Sequence, residues 1–212
     1  MARRIVHLAV YDTLADWETG HAVAHIRETS LHRPPRDTYE VVTVGPEAGR
    51  PVTTMGGVRI LPDLALDDLR PEDSTLLIMP GATLWDTGGE LAPYARRARA
   101  FLAAGLPVAA ICGAVAGLAR EGLLDDRTHT GAAAEYVGGQ PGYGGHARYV
   151  EADAVTDGGL LVTAGPTEPV AFAREVFRVL DLHEPEVLDA WVRLFGSSDP
   201  SAFPVLMEAG SR

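Results

Sequence analysis

Hydrophobic runs and polar breaks alternate along this chain with a regularity that predicts its elements. Residues 4–10 (RIVHLAV) form a β-branched apolar run ending at Tyr11-Asp12, which predicts a buried strand. From about Ala15 to Glu28 the apolar spacing turns helical, until Ser30–Asp37, with Pro34-Pro35, breaks it. Tyr39–Val44 predicts a second strand, and Val52–Thr54 and Val58–Leu61 flank Met55-Gly56-Gly57 as a small hairpin. Pro62 to Leu69 reads as a turn and a short helix. Thr75–Met79 is an apolar strand closed by Pro80-Gly81, and residues 89–104 repeat Leu91, Ala95, Ala98 and Leu102 at helical spacing. Pro107–Cys112 (PVAAIC) is a further apolar strand and Gly113–Glu121 the helix after it. Thr128–Thr130 predicts a short strand, Gly138–Gly145 (GGQPGYGG) a loop, and Leu160–Thr163 the last strand. Two amphipathic helices follow, Val170–Leu180 and about Glu186–Phe195. The stretch from Ser197 carries Phe203, Val205, Leu206 and Met207, which can pack on this chain or on a partner.

Strands that are apolar throughout need cover on both faces, and here they alternate with helices. The prediction is an α/β fold of the flavodoxin-like, doubly wound kind, with a mostly parallel sheet. Neither an internal repeat nor a long linker divides the sequence, so one domain over 1–196 and a tail over 197–212 are expected. Hydrophobic residues at 46% and charged residues at 22% give an ordinary globular balance. A formal charge of −11 disfavours nucleic acid and anionic membrane surfaces as partners. The apolar start is too short for a signal peptide and runs into Asp12, and no stretch could span a bilayer. One cysteine forms no internal disulfide, which fits a reducing, cytoplasmic setting.

In such folds ligands gather at the C-terminal ends of the strands. Cys112 closes one of those strands and is followed by Gly113 and a helix rich in Ala and Gly, a pattern compatible with a nucleophile elbow. The helix N-terminus would favour a thiolate there. A lone cysteine in an apolar run is also a common small core residue, and spacing leaves both readings open. Glu18, in YDTLADWE, puts a carboxylate near the start of the first helix, where it either complements the helix dipole or faces a site. His129 is the nearest downstream histidine, able in principle to deprotonate a thiol. Trp17, Thr83 and Trp85 are expected walls, and the GGQPGYGG loop an expected cap. No spacing resembles a metal site, and no Gly-rich turn matches a nucleotide fingerprint, so no cofactor is expected.

Five segments in order, YDTLADWE (11–18), MGGVRILPDLALDDL (55–69), LLIMPGATLW (76–85), VAAICGAVAGLAREGLLDDRTHTG (108–131) and DGGLLVTAGP (157–166), resemble the ThiJ/PfpI superfamily. That superfamily shares its fold with class I glutamine amidotransferases, and the fourth segment is most similar to a bacterial subgroup labelled type 1 glutamine amidotransferase-like. The resemblance implies that Cys112 is the nucleophile and Glu18 the carboxyl group bonded to its sulfur. It also implies an oxyanion site of backbone N–H groups at Gly81, Ala82 and Gly113, a small-molecule substrate and a homodimer. Two departures matter. Proteolytic and chaperone-like branches place a histidine directly after the cysteine, where this chain has Gly113. Amidotransferases use a histidine and a glutamate near the last strand, where Gly165-Pro166-Thr167-Glu168 has no histidine. The expectation is a cysteine–glutamate enzyme of hydrolase, hydratase or lyase type for a small carbonyl, amide or nitrile-like substrate. The alternatives are an oxidisable-cysteine redox or carbonyl-stress protein and a non-catalytic ligand-binding or assembly module.

Overall fold

The computed structural model describes residues 3–34 and 37–211, so Pro35 and Arg36 of the break after the first helix, like residues 1, 2 and 212, lie outside the described residues. Strand β1 (Arg3–Ala9) leads to α1 (Gly20–Arg27) and β2 (Thr38–Gly45). A hairpin of β3 (Val52–Thr53) and β4 (Arg59–Ile60) follows, then β5 (Leu64–Ala65) and β6 (Leu76–Met79). Next come α2 (Ala92–Ala103), β7 (Val108–Ile111), α3 (Gly113–Arg120) and α4 (Ala134–Gly138). The chain finishes with β8 (Ala154–Asp157), β9 (Leu161–Ala164), α5 (Pro169–Leu180), α6 (Pro185–Ser197) and α7 (Phe203–Gly210).

Seven strands make one sheet in the order β5-β2-β1-β6-β7-β9-β8, parallel throughout except that β8 runs against β9. This is the doubly wound α/β architecture that the unbroken apolar strands predict. Those strands are apolar at every position because successive side chains point to opposite faces and both faces are covered. Leu77, Met79, Val108 and Ala110 pack with Ala95, Ala98 and Phe101 of α2 and with α3. Leu76, Ile78, Ala109 and Ile111 pack on the other face with Ile26 of α1, Phe172 and Phe177 of α5 and Trp191 of α6.

Several expectations change. The first helix begins at Gly20, not near Ala15, because tertiary bonds capture the backbone before it. Thr13 N–H donates to Thr53 O (2.8 Å), Ala15 N–H to Gly81 O (2.9 Å), and Met55 N–H to Leu14 O (2.8 Å). Over 62–69 the backbone pairs as β5 with β2 before a single 3-10 turn at Leu66–Asp68. The stretch 128–130 is no strand; it contributes one bridge, His129 to Tyr149. Beyond Ser197 the chain forms α7, which packs through the buried Leu206 while Phe203 and Met207 stay exposed.

Helix α3 explains its own composition. Every residue from Gly113 to Ala119 is buried, and the helix lies on Trp85, which is itself fully buried. A Cβ at Gly117 would stand 2.2 Å from Trp85 Cζ3, and one at Gly113 would stand 3.0 Å from Trp85 Cβ. The two glycines let α3 close on the indole, and this contact sets the height of Cys112 above the sheet. Gly117→Ala gains about 1 kcal/mol of helix propensity but forces an overpacked contact that costs about 1–3 kcal/mol or more. Urea unfolding is expected to show a net loss of about 2 kcal/mol in the variant, with the m-value unchanged.

Candidate active site

Cys112 stands between β7 and α3 with φ 58° and ψ −125°, a backbone conformation that a residue with a Cβ adopts only under constraint. The constraint comes from both sides. Its N–H donates to Ala164 O on β9 (3.0 Å), and its C=O accepts from Val115 N–H in the first turn of α3 (3.1 Å). This is the sharp strand-to-helix turn of a nucleophile elbow, and it leaves the side chain partly exposed above the sheet.

Glu18 comes to the same point from the loop after β1. It has no exposed surface, and its Oε2 accepts the Gly81 N–H at 2.5 Å. Gly81 has to be glycine: a Cβ there would lie 2.8 Å from Cys112 Cβ and 2.8 and 2.9 Å from the two Glu18 oxygens. Below it, Tyr11 OH donates to Pro80 O, and Trp85 Nε1–H donates to Tyr11 OH and Pro80 O at 3.2 Å each. These bonds hold the Pro80-Gly81 turn. Glu18 Oε1 has no partner of normal hydrogen-bond geometry, and the carboxyl group interacts with the Cys112 thiol beside it.

The protonation states follow from this burial. Desolvation pushes the Glu18 carboxyl up to about 7, against the opposing bonds from Gly81 and Cys112. Desolvation, then the charge and hydrogen bond of Glu18, push the Cys112 thiol up to about 12, although the Gly113 N–H at the helix start works the other way. The thiolate expected from the helix N-terminus is therefore not the resting form. One helix end does not outweigh burial beside a carboxylate.

A cavity of about 190 Å3 opens over this pair, lined by Trp17, Thr83, Ala82, Asp86, Gly113 and Tyr136 among others. Trp17 and Thr83 stand in the wall as expected, with Trp17 half-exposed and its Nε1–H donating to Pro166 O at 3.0 Å. Ala82 has φ −159°, extended backbone that any side chain tolerates, so alanine in place of a second glycine costs nothing there. Wider clefts exist elsewhere, such as one of about 380 Å3 beside Arg4, Asp37 and Tyr39, but it sits at the opposite ends of the strands.

Four expectations are corrected. His129 is fully buried away from the cavity, with Nδ1 bonded to Arg127 O and Nε2 to Tyr143 OH, both at 2.7 Å. Both ring nitrogens are occupied, so it cannot serve Cys112. Trp85 is a core platform and not a wall. The Gly81 N–H is spent on Glu18, which removes it as an oxyanion donor. The GGQPGYGG loop does not line the cavity either; Tyr136 of α4, just ahead of it, does. Asp86 and Tyr136 went unseen in the sequence and are joined in the structure, Tyr136 OH donating to Asp86 Oδ1 at 2.5 Å. Among the described residues no cluster of His, Cys, Asp or Glu could hold a metal ion, and no helix is long and apolar enough to cross a membrane.

A family model described as DJ-1/PfpI family matches residues 3–179. A Bacillus subtilis (strain 168) protein named uncharacterized protease YoaZ is 36% identical over 214 residues, 100% of either chain. The crystal structure of a ThiJ/PfpI family protein from Bacillus anthracis has a TM-score of 0.92 and 37% identity, covering 99% of this chain and 98% of that one. A DJ-1 superfamily protein from Agrobacterium tumefaciens gives a TM-score of 0.76 at 34% identity, covering 92% and 98%.

Glu18 makes stability depend on pH. Its folded-state value of about 7 exceeds the ordinary 4.5, so folding favours the protonated form. Its contribution is complete below about pH 4.5 and is lost as pH rises through about 7, a change of about 3 kcal/mol. Glu18→Gln keeps an oxygen for Gly81 and carries no charge. Urea titrations are expected to find the variant and the parent similar at low pH and the variant about 2–3 kcal/mol more stable at pH 8. Parallel curves at all pH values would contradict the burial cost.

Proposed function

The chain belongs to the DJ-1/PfpI family, and on that footing we propose that it is a cysteine-dependent enzyme acting on a small carbonyl, amide or nitrile-like substrate. The observation that carries this reading is the buried Glu18 carboxyl, fixed by Gly81 and interacting with the thiol of a strained Cys112.

The thiol rests protonated, so attack needs a base in contact, and the ionised Glu18 is that base. As the Sγ–C bond forms, the thiol proton passes to Glu18 Oε1 and the substrate's π electrons move onto its oxygen or nitrogen. The N–H groups of Ala82 and Gly113, both at the cavity wall, are the donors proposed for that developing anion. With an amide, protonated Glu18 gives its proton to the leaving nitrogen as the C–N bond breaks, and water then cleaves the thioester. With a nitrile-like carbon it protonates the nitrogen, and water adds before the C–S bond breaks. With a simple carbonyl it protonates the alkoxide oxygen to give a hemithioacetal. Hydrolysis and hydration consume that water, whereas a lyase outcome breaks a bond of the sulfur-bound substrate without it.

The small cavity favours a small substrate: about 190 Å3 is below the roughly 300–1,000 Å3 of ordinary ligand pockets. The relative's name points to peptide hydrolysis, yet none of the 7 histidines lines this cavity to protonate a leaving amine. The oxidisable-cysteine alternative is weaker for a related reason. It is the thiolate that attacks peroxide, and burial beside Glu18 holds Cys112 as the thiol. The proposal includes a reducing, cytoplasmic setting and no cofactor.

Screening methylglyoxal, glutamine, isonitriles and simple amides is the direct test. Cys112→Ala is expected to abolish whichever turnover is found, and undiminished turnover would refute the reading. Glu18→Gln is expected to lower kcat by about 10²–10⁴-fold. Since the base form of Glu18 is required, kcat/KM of the parent is expected to rise with pH through about 7 and then level off. A rate that falls through that range would assign Glu18 the role of acid.

A further inference from the structure

Two carboxyl groups, Glu18 and Asp86, line the cavity, and among the described lining residues there is no arginine, lysine or histidine. Glu18 is wholly buried beside the Cys112 thiol. Asp86, at the end of the turn that carries Trp85, is exposed at the rim and held there by the Tyr136 hydroxyl at 2.5 Å. The charge of Asp86 reaches the reacting atom, since it adds to the upward push on the Cys112 thiol. Arg120 acts on Tyr136 but is outside the lining, and its Nε–H is engaged by Gln140 Oε1 at 2.8 Å.

An anionic group entering such a cavity sheds water, meets no cationic side chain among the described lining residues and faces the negative charge of Asp86 at the rim; the Ala82 and Gly113 N–H groups favour an anion only at the reacting atom itself. A neutral or cationic group suffers no such penalty. From this geometry we infer that Asp86, positioned by Tyr136, is a specificity-determining residue that admits neutral and cationic small electrophiles to Cys112 and turns away carboxylates and phosphate esters. The inference builds on the reading of Cys112 as nucleophile and narrows its substrate class. Amides, ketones, aldehydes and nitriles without an anionic group fit; α-keto acids and sugar phosphates do not.

Cys112 is the only cysteine in the sequence, so alkylation reports on one site. The experiment compares labelling rates with iodoacetate, an anion, and iodoacetamide, its neutral analogue, at low ionic strength and constant pH. The ratio of the two rates cancels the fraction of thiolate, which Asp86→Asn itself will change. Relative to the same ratio for a small free thiol, the parent protein is expected to disfavour iodoacetate by about fivefold. Asp86→Asn is expected to bring the ratio close to the free-thiol value, whereas Tyr136→Phe, which retains the charge, keeps iodoacetate disfavoured. High salt on the parent protein alone should move the ratio the same way as Asp86→Asn. A parent ratio equal to that of the free thiol, a ratio insensitive to salt, or an Asp86→Asn ratio like the parent's would each overturn the inference. Labelling needs no turnover, so failure here and persistence of activity in Cys112→Ala are separate results.

Discussion

The bond between the Gly81 N–H and Glu18 Oε2 is the contact on which the site depends. It is the anchor for a carboxyl group with no exposed surface that interacts with the Cys112 thiol. Without a side chain at position 81, the turn after β6 comes within contact of both the carboxyl and Cys112. Three strand ends, those of β1, β6 and β7, thereby meet at one point. That convergence is what a parallel sheet with adjacent β1, β6 and β7 offers, because their C-terminal ends lie side by side.

Support for this contact comes from beneath. Trp85 lies under α3, bonded to Tyr11 and Pro80 and set edge-on to the Tyr11 ring, with centroids 5.8 Å apart. The helix can rest on it because Gly113 and Gly117 have no side chains in the way. The strained backbone at Cys112 is thus held by ladder bonds on one side and by a packed aromatic platform on the other. Strain of this kind, about 1–3 kcal/mol, persists only where the surroundings overdetermine it.

The strands were legible in the sequence because a sheet covered on both faces writes itself as apolar runs such as LLIM (76–79) and PVAAIC. Strand β8 was not, since its residues, Ala154 to Asp157, are half-buried at the sheet edge and carry no such run. Glu18 and Cys112 were legible as a pair only through the motifs around them; spacing alone allowed a helix-dipole acid and a core thiol. His129 misled because chain proximity to Cys112 says nothing about direction, and its bonds to Arg127 and Tyr143 point it into a separate cluster. Asp86 and Tyr136 were invisible for a similar reason: fifty residues separate them, and only the fold brings a turn and a five-residue helix together.

The missing side chain at position 81 also shapes how such a site can drift over evolutionary time. Glu18, Gly81 and Cys112 occupy each other's only available space, so the fitness effect of a change at one position is set by the residues at the other two. Enlarging residue 81 is tolerated only on a background where the carboxyl group has already shrunk and the Cβ of residue 112 has given way. Mutational paths out of this arrangement therefore run through simultaneous or strictly ordered replacements. The acidic rim at Asp86 is free of that interlock, and variation there can retune which molecules enter while the inner three residues stay as they are.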